Sequence, residues 1–224
     1  RQGIAEDTES TSATKKDTEK ETDDTVIEMK SQYLPGNEPI MMQVEYNCHT
    51  KFEDGLMFAL VSENARQGGY AENVILQVNE ETYDLSAEGS CYYGYVMRRP
   101  DEKTFLLLCM DWASDDYHTL VVDITEGKIE LCDDYEGASF EVIPEEYEAV
   151  NVDKRLAVLG YRYGDMRCTL TAEGKLINSG EIYAISENFT IINYELPVVI
   201  EGTESALAVG TKIQVTGTNG KDIV

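Results

Sequence analysis

Two histidines, five cysteines and several knots of carboxylates are the residues of this chain that could do chemistry. Cys91, in Gly-Ser-Cys-Tyr-Tyr-Gly, and His118 are the types that a Cys–His nucleophilic pair would use. No orienting acid or oxyanion turn is written beside Cys91, and such pairs are defined by geometry rather than by residue type. His118, flanked by Asp116, Tyr117 and Thr119, reads as a surface strand residue. GxSxG, HExxH and Walker-type loops are absent, and Gly68-Gly69 alone carries no phosphate-binding signal.

Cys48, Cys91, Cys109, Cys132 and Cys168 are odd in number, include no CxxC pair and fit neither a zinc site nor a compact disulfide framework. They read as free thiols packed like small apolar residues. One bridge between neighbouring strands, Cys109 with Cys132, stays open.

The carboxylates fall into three groups: Asp111, Asp115 and Asp116; Asp133, Asp134 and Glu136; Glu145, Glu146 and Glu148. Asp-rich turns suit calcium, the only cofactor the chain suggests, but none follows the EF-hand alternation. The plainer reading is solvated loops in a very acidic chain. A carboxylate pair could also hydrolyse glycosidic bonds, but with 43 acids no pair stands out. Trp112, Tyr117 and Tyr135 are the candidate ligand-binding residues, as an aromatic platform for a sugar or a partner. Core or cross-strand packing competes with that role, because aromatics are favoured strand formers.

The elements that must position these groups read as β. The 224 residues allow one large or two small domains. Residues 1–30 hold nine acids, five bases and no aromatic, and they are expected to form an acidic, Thr-rich tether too polar to order itself. The body keeps most of the formal charge of -25. That charge repels phosphate backbones and anionic membranes, excludes nucleic acid as a partner and attracts cations and basic partners. No apolar run approaches a transmembrane helix.

Alternating segments predict strands at 41–46, 55–62, 74–78, 82–85, 92–98, 104–110, 117–124 and 128–132. The pattern resumes at 155–163, 166–170, 175–185, 189–194, 198–201 and 211–216. A short helical turn is expected at 143–149. Turns recur between these strands: Glu126-Gly127-Lys128, Glu173-Gly174-Lys175 and Asn219-Gly220-Lys221, with glycines 47 and 46 residues apart. Asn79-Glu80-Glu81 lies 47 residues before the first of them. Such a period predicts repeated antiparallel meanders in an all-β, partial propeller-like or open-sheet domain over 31–188.

The stretch LLLCMDWASDDYHTLVVDITEGKIELCDDYEG resembles blade-like segments of uncharacterised cell-envelope lipoproteins of anaerobic Gram-positive bacteria. LGYRYGDMRCTLTAEGKLINSGEIYAI is a second such stretch, and ELPVVIEGTESALAVGTKIQVTGTNGKDIV resembles the start of a small SH3-like barrel. The resemblance implies a propeller-like domain followed by an SH3-like segment at 189–224, incomplete at Val224. It also implies an extracytoplasmic, cell-surface location through a lipid anchor upstream of Arg1, since the chain has no lipobox cysteine. The function expected is non-enzymatic binding of an envelope protein or a glycan. The alternatives are a polysaccharide hydrolase and a structural envelope module with an acidic, cation-attracting surface.

Overall fold

The computed structural model describes residues 27–36, 38–65, 71–112, 117–142, 146–157, 161–179, 183–185 and 189–218. Most of the tether, the Gly68-Gly69 loop, Asp115, Asp116, Glu145 and the Gly220 turn lie outside these residues.

After β1 (Lys30–Leu34) and β2 (Ile40–Val44) come β3 (Cys48–Phe52), β4 (Met57–Val61), β5 (Ile75–Val78) and β6 (Glu81–Asp84). A single 3-10 turn, Leu85–Glu88, leads into β7 (Ser90–Arg98), β8 (Thr104–Asp111), β9 (Tyr117–Asp123) and β10 (Glu130–Glu136). Then follow β11 (Ala138–Val142), β12 (Ala149–Ala157), β13 (Tyr161–Leu170) and β14 (Leu176–Asn178). The last strands are β15 (Tyr183–Ile185), β16 (Phe189–Ile191), β17 (Leu196–Ile200), β18 (Thr203–Leu207), β19 (Lys212–Gln214) and β20 (Gly217–Thr218).

Among the described residues the fold is all-β and open, with no closed barrel. Its first sheet runs β1-β3-β4-β5-β6, its second β10-β9-β8-β7-β2 and its third β11-β12-β13-β15-β20, with β14 also on β13. Among the described strands pairing is antiparallel except that β1 lies parallel to β3, a contact the meander pattern did not predict; an isolated bridge, Tyr46 with Leu60, is also parallel. The segment 175–185, expected as one strand, is divided between β14 and β15. Ala149, expected at the end of a helical turn, begins β12 instead.

The second sheet lies between the other two, and β8 shows why. Leu106, Leu108 and Met110 face the first sheet, packing with Phe58, Leu60, Leu76 and Val78. Phe105, Leu107 and Cys109 face the third, packing with Val150, Val152, Met166 and Cys168. A strand covered on both faces must be apolar at every position, so Thr104–Asp111 reads as a run rather than an alternation.

The recurring turns occupy equivalent places. Asn79, Gly127 and Gly174, with φ of 49°, 69° and 74°, each lead from the third to the fourth strand of a meander. The fourth strands of the first two units then each receive the next unit. Glu81 on β6 accepts from the Ile129 N–H at 2.9 Å, and Asp133 on β10 accepts from the Leu176 N–H at 2.9 Å. Ile129 and Leu176 both stand two residues beyond their turn glycine. The spacing therefore marks a repeated contact between successive sheets.

At the end of β7 two neighbouring arginines fasten the sheets. Arg98, 4% exposed, pairs with Asp54 at 2.8 Å and bonds the Gly36 carbonyl, and its guanidinium carbon sits 3.9 Å from the Phe52 ring centre. These partners lie at the first sheet. Arg99, 8% exposed, donates to the Leu170 carbonyl of the third and pairs with Glu148 at 3.3 Å and Asp101 at 3.1 Å.

Residues 189–218 form two small ladders, β16 with β19 and β17 with β18. β20 returns across the expected boundary at 188 to pair with β15 of the third sheet.

Gly174→Ala is expected to cost about 1–3 kcal/mol, from a strained φ and a crowded neighbour. A Cβ there would stand 2.6 Å from the Cys132 Cβ and 3.0 Å from the Phe105 ring. Urea unfolding checks this, and an unchanged midpoint would remove the turn from the inter-sheet contact. A second test is pH. Hydrogen bonds from Arg99 hold the Asp101 carboxyl below its ordinary range. Its contribution is therefore complete above the unfolded value of about 4 and is lost as pH falls through the depressed one. Asp101→Asn is expected to lower the urea midpoint at neutral pH, with the difference from the native chain shrinking on acidification.

Candidate functional site

Strand alternation divides the aromatic and titratable residues of the second sheet between its faces. Cross-strand partners share a face, so register assigns them. Tyr93, Cys109, Thr119 and Tyr135 form one row across β7 to β10, facing the third sheet. Tyr117, paired with Asp111, lies on the same side. Cys91, Met110, His118 and Glu136 form a row on the opposite face.

Trp112 belongs with the second row. Its ring centre lies 4.8 Å from that of His118, at a 57° tilt, and the residue is 60% exposed. The three predicted ligand-binding residues are therefore not one platform. Trp112 lies at one side of the strand end, while Tyr117 and Tyr135 pack half-buried on the core between the second and third sheets. They are joined there by Tyr92, Tyr93 and Tyr95, which were not singled out from the sequence. Tyr92 meets Tyr117 edge-on at 5.4 Å, and Tyr93 meets Tyr95 edge-on at 6.0 Å. Their spacing in Cys-Tyr-Tyr-Gly-Tyr was the available signal, since Tyr93 and Tyr95 are two apart and share a face.

The support under Trp112 is local and specific. Asp84 caps the 3-10 turn by accepting from the Ser86 N–H, and the Ser86 hydroxyl together with that N–H lowers the Asp84 pKa. The turn delivers the Glu88 carbonyl to 3.1 Å from His118 Nε2. A carbonyl only accepts, so Nε2 carries hydrogen. Nδ1 lies in close contact with the Asp134 carboxylate on the other side of the ring. His118 is thus a buried support for an exposed indole rather than the surface strand residue expected.

The nucleophilic pair does not assemble. Met110 on β8 lies between Cys91 on β7 and His118 on β9, so their backbones are two strand spacings apart, roughly 9–10 Å. Cys91 is fully buried, and burial pushes its thiol up to about 12. Cys109 and Cys132 also part, because β9 separates β8 from β10, and all five cysteines are free thiols. The free-thiol reading therefore holds, and that strand order closes the Cys109–Cys132 bridge the sequence left open.

The carboxylate groups disperse in the same way. Asp133 holds the Leu176 N–H and Lys175, while Asp134 holds His118 on the other face. Glu136 pairs with Lys154 at 2.9 Å, Glu146 with Arg167 and Glu148 with Arg99. Among the described residues no three metal-ligating side chains converge. Asp111 differs: its Oδ2 meets the Tyr92 hydroxyl at 3.5 Å, and its buried Oδ1 has no hydrogen-bond partner among the described residues.

No family model, curated protein or solved structure matches the chain. Residue geometry therefore carries the functional reading.

Thiol chemistry tests this arrangement. Cys48, Cys91, Cys109 and Cys168 are buried and Cys132 is half-exposed, with burial raising the Cys132 pKa as well. Native protein at about pH 8 is expected to show one slowly reacting thiol toward a disulfide reagent, and five after denaturation. Rapid reaction of several thiols in the native state would contradict the packing.

Proposed function

We propose that this protein is a non-enzymatic, extracytoplasmic binding protein whose Trp112 edge recognises a glycan. The supporting observation is that an indole stands 60% exposed while its neighbour beneath, His118, is fixed by Asp134 and the Glu88 carbonyl. A flat aromatic face held in place loses little entropy on binding and covers the C–H face of a sugar ring. The acidic surface favours a neutral or cationic ligand over an anionic one. For the runner-up hydrolase no carboxylate pair stands out; of the grouped acids, Asp133, Glu146 and Glu148 are engaged by Lys175, Arg167 and Arg99, and Asp134 contacts His118. The polar leader and the resemblance to envelope lipoproteins support a surface location; metabolic lipid labelling of the full precursor tests it.

Trp112 is the only tryptophan, so its emission reports directly on this edge. Titration with neutral oligosaccharides and with soluble cell-wall fragments is expected to give a saturable change. By calorimetry, Trp112→Ala should weaken binding by about tenfold, corresponding to about 1.4 kcal/mol. Tyr117→Phe, on the opposite face, should leave it unchanged. Binding that survives Trp112→Ala, or no saturation with any glycan tested, would overturn the proposal.

A further inference from the structure

The ribbon of β17 and β18 presents a strand edge with a defined polarity. Its turn, Glu201-Gly202, has φ of 51° and 78°, the paired positive values of a type I′ hairpin. Such a turn closes on a hydrogen-bonded pair, here Ile200 with Thr203, so Val198 with Ser205 and Leu196 with Leu207 are hydrogen-bonded pairs too. The backbone groups of Pro197 and Val199 therefore point to one outer edge, and those of Glu204 and Ala206 to the other. Pro197 has no N–H, which interrupts the β17 edge. The β18 edge is uninterrupted, and among the described residues no strand pairs with it.

Its surroundings select a partner. Val199 and Ile200 are 68% and 53% exposed on the ribbon, and Ile191, Tyr194 and Val209 are exposed in the adjoining segments. Glu195, Glu201 and Glu204 are all exposed, whereas residues 189–218 contain one base, Lys212. A second copy of a chain carrying a net charge of -25 would be repelled. A basic strand would be attracted.

We propose that the β18 edge captures an extended cationic segment of another protein as a third, added strand. Backbone groups of Glu204 and Ala206 would supply the hydrogen bonds. Alternate lysines or arginines would meet Glu204, their aliphatic stems lying along Val199, while the intervening apolar side chains join Ile200 and Leu207 on the other face.

The probe is a fluorescein-labelled octapeptide of alternating lysine and valine, followed by anisotropy at about 0.15 M salt, where diffuse charge attraction is screened. Saturable binding is expected. It should weaken at least about tenfold in Ala206→Pro, which removes an outward N–H without touching the β17 ladder, and in Glu204→Lys. A peptide N-methylated at its four central residues should fail to bind the native chain, a comparison that holds even if Ala206→Pro does not fold. Equal binding of the methylated peptide would reduce the effect to charge attraction and overturn the proposal. So would absence of binding, or sedimentation as a dimer that Ala206→Pro dissociates, since a second copy would then occupy the edge.

Discussion

The second sheet must bury both of its faces, and the rest of the molecule is arranged around that demand. Leu106, Leu107, Leu108, Val121 and Val122 are fully buried, alternating between two cores. Each such side chain contributes about 1.5–3 kcal/mol by leaving water. Neither core exists without the middle sheet. The Arg98-Arg99 pair secures this stack at one end, with one guanidinium turned toward each neighbouring sheet. Burying two cations is costly unless each is met by acceptors. Here Asp54 and the Gly36 carbonyl meet one, while Asp101, Glu148 and the Leu170 carbonyl meet the other.

The acidity of the chain reads differently once strands are placed. Much of it is a solvated surface, but several acids that look interchangeable in sequence have separate structural tasks. Glu81 and Asp133 each receive the backbone of the next meander, and Asp134 anchors His118. Asp133 and Asp134 are adjacent, yet consecutive strand residues point to opposite faces. A cluster in sequence thus becomes two unrelated contacts. The same geometry separates Trp112 from Tyr117 and Tyr135, whereas Cys109 and Cys132 border one core and are kept apart by the intervening β9.

Two surfaces differ in how they are held. Trp112 stands just beyond the end of β8 in the middle sheet, with its support traceable through His118 to a capped turn. The β17–β18 ribbon instead exposes apolar residues on a narrow ladder, which is marginal alone and a natural template for another strand. One is suited to stacking against a small ring and the other to backbone pairing.

The sequence by itself determined the all-β class, most central strands and the periodic turns, because alternation, apolar runs and positive-φ residues are local properties. It missed β3, where buried Cys48, Thr50 and Phe52 alternate with His49 and Lys51 but only two of the inward residues are apolar. It also identified Trp112, Tyr117 and Tyr135 as notable aromatics without assigning them to faces, since a face depends on register with strands elsewhere. Tertiary structure decided that Trp112 stands alone on His118, that the tyrosines line another core, and that the parallel β1–β3 pairing and the return of β20 complete two sheets. Those are contacts between distant segments. They depend on which surfaces meet after collapse, and local residue spacing does not encode that choice.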